Sequence, residues 1–164
     1  MILGIQARGS VRLSEVGRSL EEPIALKKIV ERLSRDLNRE RLRETISEGV
    51  LREGSKKIEE DTLLIVDTSD LIKKYATKME YLAEVRDGSE KRIGRGYWTC
   101  QVMGVECGGS EIVPLYHELH SQEAPDFISE NNELIKAIRE VSTAVGQRGI
   151  FVLDRGADRD AIYK

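Results

Sequence analysis

Two aspartates each follow a short apolar run, and this pattern is the strongest indication of chemistry in the sequence. Asp67 follows Thr62-Leu63-Leu64-Ile65-Val66, and Asp154 follows Gly149-Ile150-Phe151-Val152-Leu153. Apolar runs of this length are typical of buried strands, which can present a carboxylate where they end. Two such strands lying side by side could hold a divalent metal ion between them. We therefore take Asp67 and Asp154 as the candidate metal-binding and catalytic residues.

The second aspartate opens a segment in which carboxylates and guanidinium groups alternate, Asp154-Arg155-Gly156-Ala157-Asp158-Arg159. Gly156 permits a close backbone turn. Arg155 or Arg159 could then contact a phosphate, or pair with Asp158 in an internal cluster of ion pairs, which is the structural alternative. This mixture of acidic and basic side chains indicates chemistry on the phosphate backbone of a nucleic acid.

The first aspartate precedes polar residues that could turn the chain. We expect Asp67 to bind the metal, Thr68 and Ser69 to form the turn, and Lys73 or Lys74 to contact a phosphate. A plain strand-ending turn bonded to backbone amides is the alternative. Aspartyl-phosphate phosphatases also place a nucleophile after an apolar strand, but they need a second aspartate two positions later, where this chain has Ser69.

The histidines and cysteines do not form a recognisable metal motif. His117 and His120 lie in a segment that reads as strand or loop, so we expect surface or structural roles. Cys100 and Cys107 match neither a CxxC pair nor a zinc motif. We expect them to be small buried hydrophobic residues in a reducing compartment.

The composition is that of an ordinary globular domain, with 164 residues, 40% hydrophobic and 34% charged. These values allow one full core, or a compact domain with a small appendage. The apolar stretches are shorter than the ~20 residues of a membrane span, and no secretory signal is recognisable. We therefore expect a cytoplasmic protein without a membrane partner. Residues 1–60 carry 13 basic and 11 acidic side chains, a density compatible with nucleic-acid contact.

The first sixty residues are predicted to be helical. Pro23 stands where a helix can begin, and Asn38 could cap the next helix. Arg35 and Arg39 fall on the polar side, which is either a solvated face or the surface of a DNA-binding segment. The apolar positions at helical spacing are Leu26, Ile29, Val30, Leu33, Leu37, Leu42 and Ile46.

From residue 61 the pattern predicts a mixed α/β domain. The predicted elements are a strand over 62–67, a polar helical or irregular stretch, a loop over 86–96, a strand over 97–107, a turn at Gly108-Gly109, a strand over 111–116, a helix capped by Ser129, and the strand before Asp154. Three antiparallel strands, a helix and a parallel strand form the first part of a ribonuclease-H-like (RNase-H-like) domain. Because such crossovers are right-handed, the last strand should lie beside the first.

Four segments in this order resemble bacterial cut-and-paste insertion-sequence transposases of the DDE class, which have an RNase-H-like core. The matching segments are Val66-Asp67-Thr68-Ser69-Asp70-Leu71, Gly94-Arg95-Gly96-Tyr97-Trp98, Val113-Pro114-Leu115-Tyr116 and Leu153-Asp154-Arg155-Gly156-Ala157-Asp158-Arg159. Leu33-Ser34-Arg35-Asp36-Leu37 also resembles the family's N-terminal DNA-binding part. The resemblance implies Mg²⁺- or Mn²⁺-dependent cleavage and strand transfer of DNA at transposon ends and target, with Asp67 and Asp154 as the first two acids. It also implies a homo-oligomer when full length.

The family's third acid is a glutamate on a later helix, and no residue here matches it. We therefore expect residues 61–164 to be the first part of the catalytic core of an incomplete transposase, with a sheet edge and an apolar face uncovered. The alternative is a non-catalytic DNA-binding or regulatory fragment of a transposase.

Overall fold

The computed structural model describes residues 1–88, 90–106 and 109–154, in which five helices and five strands form a mixed α/β fold. The chain divides into two compact units, residues 1–46 and the part that begins at Ser47. The helical segment predicted over residues 1–60 extends across this boundary. No helix of the described residues is long and apolar enough to cross a membrane.

The first four helices are α1 Ile2–Arg8, α2 Leu13–Arg18, α3 Leu26–Leu37 and α4 Leu42–Ser55. In the first unit, Val16 of α2 is buried against Ile29 and Leu33 of α3. The four-residue spacing of the last two places them on one helix face, as the sequence predicted.

The predicted cap between α3 and α4 was wrong. Asn38 directly follows the last residue of α3, and its N–H donates to the carbonyl of Arg35 at 3.1 Å. Asn38 therefore ends α3 and does not start α4. Ala25, two residues after Pro23, precedes the first turn of α3. Asparagine can cap either end of a helix, so the residue type alone could not show whether Asn38 begins or ends one.

The second unit contains β1 Leu63–Ile72, β2 Ala83–Arg86, β3 Ile93–Val105, β4 Ile112–His120, α5 Glu130–Val145 and β5 Ile150–Leu153. Strand β3 pairs antiparallel with β1 on one side, and with β2 and β4 on the other. Strand β5 pairs parallel with β1. The order across the five-stranded sheet is therefore β2–β3–β1–β5, with β4 paired to β3 on the same side as β2, and α5 connects β4 to β5. The predicted antiparallel strands, the helix and the parallel strand are present in the predicted order, and β2 is an additional antiparallel strand.

One face of the sheet packs against α5. Ser129 caps the start of α5, since its Oγ accepts from the N–H of Asn132, and Gly146 caps the end of the helix in the left-handed region. Cys100 is buried in this core, as expected, whereas Cys107 lies outside the described residues. The buried core residues are Ile58, Leu64, Val66, Cys100, Val102, Val113, Leu115, Leu134, Ala137, Val141 and Val145.

The opposite face, which we call the open face, leaves apolar side chains exposed. The exposed fraction is 39% for Ile65, 61% for Ile112, 53% for Ile150 and 39% for Val152. An uncovered apolar face was expected from the sequence.

Strand β1 is longer than predicted, which corrects the position of Asp67. The strand was expected over 62–67, but it continues to Ile72, and residues 68–72 pair with β3. Asp67 therefore lies inside β1, and Thr68 and Ser69 form no turn. Because Asp67 and Ser69 alternate onto the open face, their polarity does not end the strand. Strand β3 likewise begins at Ile93, inside the predicted loop.

Candidate metal and phosphate site

Asp67 and Asp154 are neighbours on adjacent parallel strands. The last pair between β1 and β5 joins Val66 to Leu153, and the two aspartates directly follow this pair. Neighbouring strands lie about 4.8 Å apart. Val66 and Leu153 pack against the core, so the next residue of each strand alternates to the open face. Both aspartates are exposed, and the structure places them side by side on that face.

The Asp67 carboxylate is oriented by two hydrogen bonds. The Ser69 hydroxyl donates to Asp67 Oδ2 at 2.9 Å, and the Gln101 amide donates to the same oxygen at 3.0 Å. Gln101 is the direct partner of Asp67 in β3. Among the described residues, no hydrogen bond reaches Asp67 Oδ1, so this oxygen is available to a ligand.

These residues belong to a polar row that crosses four strands of the open face. Gln101 pairs with Asp67 on one side and with His117 of β4 on the other. Asp154 extends the row beside Asp67. Gln101 could not be recognised as a neighbour of Asp67 from the sequence, because only the pairing register places it opposite this aspartate.

The two carboxylates fit a hydrated divalent ion. No group of three or more His, Cys, Asp or Glu suited to a metal occurs within residues 1–88, 90–106 and 109–154. Mg²⁺ commonly binds proteins through one or two carboxylates and takes its other ligands from water and substrate phosphates. Asp67 and Asp154 supply this donor set.

The predicted phosphate-binding lysines lie beyond the end of β1. The N–H of Lys73 donates to the carbonyl of Arg95 at 2.8 Å, which continues the pairing of β1 with β3. Lys74 follows in an exposed turn. At about 3.3 Å per residue, Lys73 is about 20 Å from Asp67 along the strand. Arg155 and Arg159 lie outside the described residues.

The two predicted DNA-binding arginines of the first unit are both exposed. Arg39 donates to Asp36 at 2.7 Å, which agrees with the solvated-face alternative for this residue. Arg35 forms no ion pair with any residue that the structure describes. Both arginines belong to the first unit, whereas the polar row belongs to the second.

The environments of the other titratable candidates, His120 and Cys100, indicate structural roles. His120 stacks on Phe127 with ring centroids 5.9 Å apart, and its burial lowers the pKa of the imidazole, an effect that Glu133 and Glu130 oppose. Burial raises the pKa of Cys100 to about 11. Cys100 is therefore a poor nucleophile at neutral pH.

The polar row lies on an open surface and does not line either of two nearby cavities. One of about 550 Å³ borders α5, and one of about 310 Å³ lies before β1. The second is lined by four carboxylates, at Glu59, Asp61, Glu106 and Glu111. The open polar row suits a long polymer better than a small molecule, which is usually enclosed.

No protein-family model matches the chain, and no curated protein matches it.

Proposed function

We propose that this protein acts in DNA transposition as a DDE-type phosphoryl transferase with an RNase-H-like core. In this proposal it performs metal-dependent phosphodiester cleavage and strand transfer at transposon ends. The observation that carries the proposal is the position of Asp67 and Asp154, next to each other on one face of two parallel strands. The strand order agrees with the first part of an RNase-H-like sheet.

Each residue of the site has a defined role in this proposal. Asp67 and Asp154 hold Mg²⁺ or Mn²⁺, with Gln101 and Ser69 fixing the orientation of Asp67. When bound, such ions supply charge stabilisation and an activated hydroxyl nucleophile for in-line displacement at a phosphodiester. Lys73 and Lys74, which lie beyond the end of β1, and Arg155 and Arg159, which follow Asp154 in the sequence, contact the phosphate backbone of the DNA in this proposal.

The proposal is tested with labelled duplexes taken from the genomic DNA that flanks the coding region. Mg²⁺ should strengthen binding by at least fivefold relative to EDTA, and nicked products should form. Asp67→Ala and Asp154→Ala should each abolish both effects and leave the metal-independent affinity unchanged. Asp126→Ala, which changes an exposed aspartate before α5, is the matched control. Binding of these duplexes that does not respond to metal would contradict the proposal.

A non-catalytic DNA-binding or regulatory fragment is the second candidate. It is favoured by the exposed arginines of the first unit and by the absence of a third metal-binding side chain among the described residues. In this case duplex binding is independent of metal, and no nicks appear. Arg35→Glu and Arg39→Glu then weaken binding, each lowering the slope of log affinity against log salt by about one. An unchanged slope would mean that these arginines are solvated only.

A further inference from the structure

The far end of the open face, beyond the polar row, carries cations that are not neutralised by ion pairs. Lys73, just beyond the end of β1, is opposite Arg95 of β3, and Lys74 is next in the chain. None of the three forms an ion pair with a residue that the structure describes. Residues 73–95 carry seven basic and four acidic side chains.

Two like charges on directly opposed strand positions destabilise a sheet. Arg95 and Lys73 alternate onto the same face as Asp67, because each is an even number of residues from a member of the polar row. Glu84 of β2 is opposite Arg95 on the other side, yet no ion pair joins them. An anion such as a phosphate would relieve the repulsion between Lys73 and Arg95.

An aromatic residue, Tyr75, follows Lys73 and Lys74 directly in the chain. Tyr75 lies at the tip of a turn in which the N–H of Ala76 donates to the carbonyl of Lys73 at 2.9 Å. Its side chain is 90% exposed, so both faces of the ring are open to a planar partner. Cations beside an exposed aromatic ring are the combination with which proteins bind single strands, because bases stack on the ring while phosphates contact the cations.

We propose that Tyr75, Lys73 and Arg95 form a binding site for an unpaired DNA strand, a proposal that rests on the function proposed above. Tyr75 stacks on a base, and Lys73 and Arg95 share a phosphate. The site is about 20 Å from Asp67, which at about 3.4 Å per nucleotide corresponds to about six nucleotides of a stacked strand. The protein would therefore hold a strand that is unpaired some six nucleotides from the reacting phosphate.

The test uses the full chain and fluorescence anisotropy, with a labelled 20-nucleotide single strand and a duplex of the same sequence. Tyr75→Ala should weaken single-strand binding about tenfold and duplex binding less than twofold. Tyr75→Phe should bind as the wild type does, because the ring is retained. The double variant Lys73→Ala with Arg95→Ala should lower the single-strand salt slope by about 0.7, because the two side chains share one phosphate. Lys136→Ala, on the exposed side of α5, should change neither slope nor affinity.

The proposal is overturned if Tyr75→Ala leaves single-strand affinity unchanged, or reduces the affinity for both forms of DNA equally. If this happens while Asp67→Ala still abolishes the Mg²⁺ effect, the single-strand site is wrong and the proposed function stands. If the wild type binds neither form at low salt, both proposals fail.

Discussion

At the scale of single residues, Gln101 is the side chain to test in addition to the two aspartates. It donates to Asp67 Oδ2 and so fixes the carboxylate on which the proposed metal site depends. Groups that orient metal ligands in this way commonly contribute 10- to 100-fold to affinity. We predict that Gln101→Ala weakens Mn²⁺ binding about tenfold, measured by titration calorimetry.

Ser69→Ala should act in the same direction, because Ser69 donates to the same oxygen. Unfolding by urea should show that both variants remain folded. An unchanged Mn²⁺ affinity in both variants would mean that Asp67 is not a ligand.

The sequence alone could single out Asp67 and Asp154 as candidates, because the apolar run before each is a local signal. It could not single out Gln101 or Arg95, whose proposed roles depend on which residues pair across strands. Pairing register is set by the whole hydrophobic pattern and by turn geometry, so it is not readable at one position.

At the scale of elements, α4 and β4 pack closely at Gly54. A Cβ on Gly54 would lie 2.7 Å from the carbonyl oxygen of Pro114 and 2.9 Å from Leu115 Cδ2. We predict that Gly54→Ala lowers the free energy of unfolding by about 1–3 kcal/mol, because the backbone oxygen cannot move aside. This steric cost exceeds the helix propensity of about 1 kcal/mol that alanine gains over glycine.

Gly49 of the same helix is the matched control, because nothing lies within 4 Å of its added Cβ. Gly49→Ala should raise the free energy of unfolding by about 0.5–1 kcal/mol. Urea titration measures both variants. A stabilising Gly54→Ala would contradict the close packing of α4 on β4.

The interface between β4 and the segment leading into α5 should make stability depend on pH through His120. Burial lowers the pKa of His120 below its ordinary value of 6.5, while Glu133 and Glu130 of α5 act in the opposite direction. Because the unfolded chain binds the proton more readily, this group's contribution is fully present above pH 6.5. It is lost as the pH falls through the lower pKa of the folded state.

We predict that the wild type loses more stability between pH 7.5 and pH 5.5 than His120→Gln does, measured by urea unfolding at each pH. His117→Gln, which changes an exposed histidine on the open face, should behave as the wild type. Equal losses in the wild type and in His120→Gln would contradict the predicted linkage.

Element boundaries were harder to predict than element order. The periodicity of α3 and α5 was local and strong, so both helices were recognised. Strand β1 was ended too early, because Asp67, Ser69 and Asp70 resemble a turn in sequence. Only the partner strand reveals that the ladder continues to Ile72. The short strand β2 was also missed, since the alternation of apolar and polar residues in it extends over only four residues.

At the scale of the whole molecule, the right-handed crossover was the most productive prediction. It placed the last strand beside the first without any knowledge of register, and β5 does pair with β1. The boundary between the two units could not be read from composition, because α4 continues across it. The proposed function depends on whether this arrangement holds a metal ion between Asp67 and Asp154.

Paramagnetic broadening by Mn²⁺ in an amide NMR spectrum tests this claim most directly, because it locates the bound ion within the fold. We predict that the amide signals of Asp67, Gln101 and Leu153 broaden first, and that Asp67→Asn or Asp154→Asn removes the effect. The competing acidic cavity contains Glu59, Asp61, Glu106 and Glu111. Broadening confined to that cavity, or unchanged by either substitution, would contradict a shared metal site at the two aspartates.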